Sequence, residues 1–398
     1  MTLITLNAGS SSLKFALFEA RRPPRLVLRG EVSRLDEAPE LLLRAADGRE
    51  LARGALAPAG AGAGGQAAAL GVALEALRRA APEAMAQVRA VGHRIVHGGR
   101  DFAAPTLLDD EAMRALEALI PFAPLHQPHN LAAVRAARAA FPEAAQVGCF
   151  DTAFHRGRPF VAETYALPRE WHARGVLRYG FHGLNYEHIA RTLAREAPEL
   201  ARGRVVAAHL GAGASACAIR GGRSVASSMG FTALDGLVMA TRCGQLDPGV
   251  VLHMIRAEGM SVDEVEALLY KRSGLLGLSG LSGDMRRLLA PDAPAQAREA
   301  VAHFALRARR EIAALAAEMG GIDALVFTGG VGERSAPVRA MICEDLAFLG
   351  VALDKEANAA GAARIGAPGA RVQTLVIHAD EESVIADAAA RLCAMAKG

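Results

Sequence analysis

Two short apolar runs meet at a glycine-bearing turn near the start of the chain, and the same pattern returns half a chain later. The first is LNAGSSSLKFALF (6–18), the second AHLGAGASACAI (208–219). Each reads as strand, small-residue turn, strand, with Gly9 and Gly211 at equivalent places. Two unrelated hairpins would satisfy the pattern. Two related domains, each offering a glycine-rich turn to one cleft, is the reading that constrains the fold. A chain of 398 residues is also too long for one ordinary core, which argues for about two domains.

Apolar runs at 3–7, 13–18, 88–96, 144–150, 204–210, 214–219, 323–330 and 371–378 read as strands. Between them, residues 110–120, 130–140, 185–198, 295–319 and 381–396 repeat apolar side chains at three and four, the helical spacing. Such alternation favours a layered α/β architecture over a bundle or a sandwich. The Ala/Gly stretch 54–69 reads as a surface loop. Gly60, Gly62 and Gly65 fit GxGxxG there, but no clear strand precedes them, so a dinucleotide site is not expected.

The 45 basic and 42 acidic residues leave a net charge of +3, no footprint for nucleic acid or an anionic membrane. Five dispersed cysteines without a CxxC pair argue against a disulfide framework or a zinc site. The N-terminal residues lack the charged and apolar regions of a signal peptide, and no run of 18 apolar residues occurs. A reduced, cytoplasmic α/β protein is the expectation.

Several motifs carry chemistry. In Asn7-Ala8-Gly9-Ser10-Ser11-Ser12-Leu13-Lys14, Gly9 lets backbone approach a phosphate while serine hydroxyls and the Lys14 charge add donors. No lysine follows a glycine, so this is not a Walker A loop. Ser11-Ser12-Leu13-Lys14 fits SxxK, but SDN and KTG are missing, which disfavours acyl-serine chemistry. His93 and His97 are four apart, yet Ile95 and Val96 favour a strand running into Gly98-Gly99. That would place Arg94 and Val96 on one face, with the guanidinium turned to a carboxylate or phosphate, rather than build a metal site. The sets 123–130, 150–155 and 178–183 each put a His or Asp beside a rigid or glycine turn. The loop 227–244 supplies a second arginine, Arg242. Thr328-Gly329-Gly330-Val331-Gly332-Glu333-Arg334 reads as a strand ending in a glycine turn before a helix, suited to a nucleotide.

Together with YGFHG, HLGAGAS, SMGFTALDGLVMATRCG and the terminal ADEE, these motifs resemble, in order and spacing, the acetate and propionate kinases, over residues 2–396. The resemblance implies an α/β protein of two duplicated actin-like (ribonuclease H-like) domains flanking a central cleft, from the sugar kinase, Hsp70 and actin superfamily. The domains would be 1–150, completed by the helix 382–398, and 151–381, which would carry the nucleotide site and the interface of a homodimer. It implies reversible, in-line transfer from Mg-ATP to a short-chain carboxylate, giving an acyl phosphate without a phosphoenzyme. Arg94 and Arg242 would hold the carboxylate and the phosphoryl group, and His182 would stabilise its oxygens. Asp151 and Glu381, with Asn7, would organise Mg2+, or Mn2+ in its place. Val96, Leu125, Phe181 and Ala233 would line the acyl pocket, with His126 nearby. Ser10, Ser12, Lys14, His209, Gly211, Gly213, Gly329, Gly330 and Gly332 would meet the phosphates and nucleotide. No nucleic acid or membrane partner is implied.

The chain departs from the family pattern in several places. Ala212 stands where Asn is usual, and Arg334 replaces Asn or His, so a different phosphoryl donor is an alternative. Ala233 replaces a proline beside the acyl methyl. The space freed, worth ~0.8 kcal/mol per buried methylene, would broaden the range toward propionate or longer acids. Cys243 stands for Ser as a packing residue, and Leu184-Asn185-Tyr186 follow the catalytic loop in place of Thr-Ser-His. A propionate- or butyrate-preferring kinase, a sugar kinase or an Hsp70-like switch are the other readings. The joint presence of Arg94, Arg242 and His182 argues against the last two.

Overall fold

The computed structural model describes residues 1–9, 12–35, 38–56 and 63–395. The chain divides into two compact units, residues 1–154 with 380–398, and residues 155–379.

In the first unit, strands β1 (Thr2–Ala8), β2 (Ser12–Glu19), β3 (Arg25–Ser33), β4 (Glu40–Ala45), β5 (Glu50–Ala55), β6 (Val88–Ile95), β7 (Thr106–Leu107) and β8 (Ala145–Phe150) form one sheet. Their spatial order is β5-β4-β3-β2-β1-β6-β8-β7. β1 runs antiparallel to β2 and parallel to β6, which is parallel to β8. β1 is buried on both faces because both are covered. On one face, Ile4, Leu6 and Val91 pack against Leu70, Ala73, Leu74 and Leu77 of helix Ala63–Ala80 and Ala133 and Ala137 of helix Gln127–Ala140. The alternate residue Gly92 faces the other way, toward helix Glu381–Met395, where a β-carbon would lie 2.5 Å from Ile385 Cγ2.

In the second unit, β9 (Arg204–Leu210), β10 (Ala214–Arg220), β11 (Arg223–Ser227), β12 (Ala324–Thr328) and β13 (Gln373–Val376) take the order β11-β10-β9-β12-β13. The pairs β9/β10 and β10/β11 are antiparallel, and β9/β12 and β12/β13 are parallel. This repeats the order and directions of β3-β2-β1-β6-β8. The expected fold class of duplicated α/β units is therefore the observed one, and the glycine hairpins are β1/β2 and β9/β10.

Three local expectations need correction. The Ala/Gly stretch does not stay a loop, because residues 63–69 begin helix Ala63–Ala80, and buried Gln66 donates from Nε2 to Gly9 O at 2.5 Å. Gly60 and Gly62 lie outside the described residues. The run 323–330 stops as a strand at Thr328, since Gly329 takes a φ of +77° and opens helix Gly329–Arg334. Asp151 belongs with the first unit rather than opening the second, because its N–H bonds Ile95 O at 3.0 Å. Glu381 also falls in the first unit.

Candidate active site

In the first unit, Arg94 leaves the end of β6 and meets a carboxylate from the end of β8. Its Nε lies 3.1 and 3.2 Å from the Asp151 carboxylate oxygens, and Nη2 donates to Oδ2 at 2.6 Å. Asp151 is fully buried. Asn7, the penultimate residue of β1, bridges the cluster: Oδ1 accepts from Arg94 Nη1 at 3.0 Å and Nδ2 donates to Glu381 Oε2 at 3.1 Å. Glu381 Oε2 also lies 3.8 Å from Arg94 Nε. Burial alone would lower the Arg94 pKa, but Asp151 and Glu381 outweigh it and hold the guanidinium firmly charged.

The loops are set by amides that the sequence reading passed over. Asn130 donates from Nδ2 to Ala8 O at 2.6 Å and accepts from Val96 N at 2.8 Å, tying the first turn to the residue after β6. Gln127 clamps the His97 backbone in both directions, at 3.0 and 3.2 Å. Both sit in the run 123–130, in which the family resemblance points to His126 and Leu125 alone. His126 caps helix Gln127–Ala140 and is half-buried, like Leu125, while Val96 is buried. His93 is buried, with Nε2 2.8 Å from Gln146 Oε1. In the first turn, Gly9 N–H donates to Ser12 O at 2.8 Å. Among the described residues, a β-carbon on Gly9 would meet only that oxygen, at 3.7 Å. Lys14 is exposed on β2, paired with Asn7 of β1. Ser10 lies outside the described residues.

In the second unit, His182 sits at a φ of +57°, ahead of helix Gly183–Glu196. Its Nδ1 is 2.8 Å from Ser215 Oγ, and its ring stacks on His209 with centroids 4.3 Å apart and planes 22° apart. Asn185 Nδ2 lies 2.9 Å from His209 Nδ1, and Tyr186 Oη 2.5 Å from Ser215 Oγ. Phe181 is buried, its carbonyl accepting from His155 Nε2 at 3.0 Å while Ser224 Oγ lies 2.7 Å from His155 Nδ1. Arg242 donates from Nη1 to Ala233 O at 2.7 Å. A β-carbon on Gly213 would lie 3.3 Å from both Arg242 Nη2 and His182 Nε2, so these two groups converge on the glycine turn. One on Gly211 would lie 3.8 Å from His209 Nε2 and 3.9 Å from Gly330 N, which brings the two glycine turns of this unit together. Ala212 is exposed between them.

Three supports of this half escaped the sequence reading. Gly274, at a φ of +63°, lets the arginine loop close; a side chain there would overlap Met239 O and lie 2.7 Å from Arg242 O. Glu333 accepts from Gly329 N and Ala379 N, each at 2.9 Å, and from His378 Nδ1 at 2.8 Å. Burial opposes ionisation of Glu333, yet these donors hold its carboxyl below the ordinary value. Buried Arg339 donates to Gly332 O at 2.9 Å, Glu333 O at 2.8 Å and Asn358 Oδ1 at 2.8 Å, fixing the turn that contains Gly332. Arg334 is exposed. Burial pushes the Cys243 thiol up, in keeping with a packing residue. Among the described residues no cluster of three or more His, Cys, Asp or Glu side chains forms a ready metal cage.

Two α/β units of one strand order, each with a glycine turn between its first two core strands, make up the duplicated fold that this chain shares with solved carboxylate kinases. Residues 2–387 match the acetokinase family. The acetate kinase of Methylocella silvestris is 51% identical over 398 aligned residues, covering 96% of each chain. Among solved structures, a propionate kinase from Francisella tularensis superposes with a TM-score of 0.88 at 33% identity, covering 97% of this chain and 98% of that one. The acetate kinase of Porphyromonas gingivalis gives 0.84 at 34% identity, covering 98% and 99%. The chain belongs to the acetokinase family.

Proposed function

We propose that the chain is an acetate kinase, transferring the γ-phosphoryl group of ATP to acetate and releasing ADP and acetyl phosphate, reversibly. The observation that carries the reading is the convergence of Arg242 Nη2 and His182 Nε2 on Gly213, two donors placed around a gap fit for a phosphoryl oxygen. An acetate oxygen is already a nucleophile, so no general base is required. As its bond to phosphorus forms, the bond to the bridging oxygen of ADP breaks in line, and no phosphoenzyme arises. Catalysis then consists of positioning and neutralising charge on the equatorial oxygens. Arg242 and His182 supply donors from the second unit. Arg94, oriented within the first unit by Asp151 and Asn7, is assigned to the carboxylate. Ser10, Ser12, Lys14, His209 and the glycines 211, 213, 329, 330 and 332 are assigned to the phosphates and the nucleotide, with His126 beside the site.

Asn7, Asp151 and Glu381 suit Mg2+, or Mn2+, because they are hard oxygen donors and their two carboxylates outnumber the single guanidinium between them. When bound, the ion would neutralise charge on the transferring phosphates. Val96, Leu125, Phe181 and Ala233 are assigned to the methyl of acetate. Ala233, whose carbonyl accepts from Arg242, carries a smaller side chain than the family's usual proline, which extends the proposal to propionate. Helix Pro248–Arg256 has no buried residue and exposes Val250, Leu252 (49%) and Ile255; we assign this face to a homodimer contact. Among the described residues no helix is long and apolar enough to cross a membrane, and dependence on ATP points to the cytoplasm.

The test is hydroxamate trapping of acyl phosphate with Mg-ATP and acetate, propionate, butyrate or no acid. Acetate-dependent product, with propionate next, is expected. No product from any acid while Mg-ATP still binds would overturn the assignment.

A further inference from the structure

We propose that Tyr186 and Ser215 form a hydroxyl relay that holds His182 as a neutral imidazole with its proton on Nε2, facing Gly213. The catalytic consequence rests on the reading above; the tautomer itself does not.

The argument is a proton count in a dry place. Tyr186 and Ser215 are both fully buried. Ser215 Oγ has one proton and two neighbours, Tyr186 Oη at 2.5 Å and His182 Nδ1 at 2.8 Å. Burial raises the Tyr186 phenol well above its ordinary value, so it stays protonated and needs an acceptor. Ser215 Oγ is therefore the acceptor for the phenol. Having accepted from Tyr186, Ser215 turns its own proton to His182 Nδ1, and the imidazole carries its proton on Nε2. The reverse direction would leave the phenol proton buried without an acceptor.

Stacking agrees with a neutral ring. Two imidazolium cations face to face at 4.3 Å would repel each other, and Arg242 already brings a cation to Gly213. Asn185, lying 2.9 Å from His209 Nδ1, holds the ring on which His182 rests. The relay therefore makes Tyr186 and Ser215 positioning residues. They decide which nitrogen of His182 offers a proton to the phosphoryl group.

The relay is tested on full-length protein labelled with 15N-histidine, with His182 assigned through a His182→Asn variant. Nδ1 of His182 in the wild type should show the shift of an unprotonated nitrogen and Nε2 that of a protonated one. In Tyr186→Phe the tautomers should mix and kcat should fall about tenfold, the effect of one hydrogen bond on a barrier, with KM for acetate and ATP within about twofold. Ser215→Ala should act in the same direction. A protonated Nδ1 in the wild type, which needs no variant to observe, would overturn the relay. So would a Tyr186→Phe enzyme that keeps the wild-type tautomer, whatever its rate. Failure of the wild type to make acetyl phosphate would sink the proposed function and leave the tautomer to be read as before.

Discussion

Replacing Gly213 by alanine should separate site from scaffold more cleanly than any charge deletion. The backbone there is not left-handed, so alanine meets no conformational penalty, and loss of glycine's unfolded freedom offers about 0.4–1 kcal/mol of stability. The new methyl would sit 3.3 Å from Arg242 Nη2 and His182 Nε2, a tight contact that two side-chain ends can relieve by moving a few tenths of an ångström. It would, however, stand where a phosphoryl oxygen must come within ~2.7–3.1 Å of both donors. Loss of one such donor costs about 10²–10³ in kcat, so blocking both should cost at least about 10². Initial rates of trapped acetyl phosphate and a thermal melt read the two effects separately; Tm should stay within about 3 °C. Activity within about threefold of wild type, in a protein of unchanged Tm, would refute the convergence argument. The contrast is Gly274→Ala, which is left-handed and overlaps backbone, so it should lose about 1–3 kcal/mol or more together with activity.

Arg94→Ala and Arg242→Ala should each lower kcat/KM on the order of 10³, by analogy with arginines that stabilise phosphoryl transfer; a loss under tenfold would reject either role. Stability should fall as pH drops below about 6.5, because burial pushes His93 down to about 4 and His155 to about 3 while the unfolded chain protonates both earlier. The unfolded state then binds more protons, a loss of up to about 1.4 kcal/mol per pH unit per histidine, and a Tm that is flat from pH 7.5 to 5 would contradict it. Leu252→Asp on the exposed helix should convert a dimer to a monomer in light scattering at little cost to melting, whereas an unchanged mass would move the interface elsewhere.

The hairpins, the alternating strands and the candidate arginines were legible because each depends on local pattern, whether apolar runs, glycine turns or charge at a strand end. What stayed hidden depends on partners far along the chain. Arg94 finds Asp151 57 positions later, and nothing in GHRIVHGG says that the guanidinium will meet a carboxylate before it meets a phosphate. Gln127 and Asn130 look like ordinary helix residues, yet their amides fix two loops of the first unit. Gly274 reads as a spacer until the arginine loop is seen against it. The helix beginning in the Ala/Gly stretch escaped because alanine and glycine carry no periodic signal there; its apolar spacing shows only from Leu70 onward.

Glu381 joins Asn7 across 374 positions, and the helix it opens covers the sheet face onto which Gly92 looks. During synthesis the first strand therefore waits for the last helix. Until residues 381–395 have left the ribosome, Arg94 lacks its second counter-charge and the inner strands of the first unit lie bare on one side. A nascent chain stalled just before that helix, with residues 1–380 made, would hold every glycine turn and both arginines and still have an unfinished first unit. The strands β1 and β6 of such a chain would show solvent the apolar side chains that the last helix covers in the finished unit.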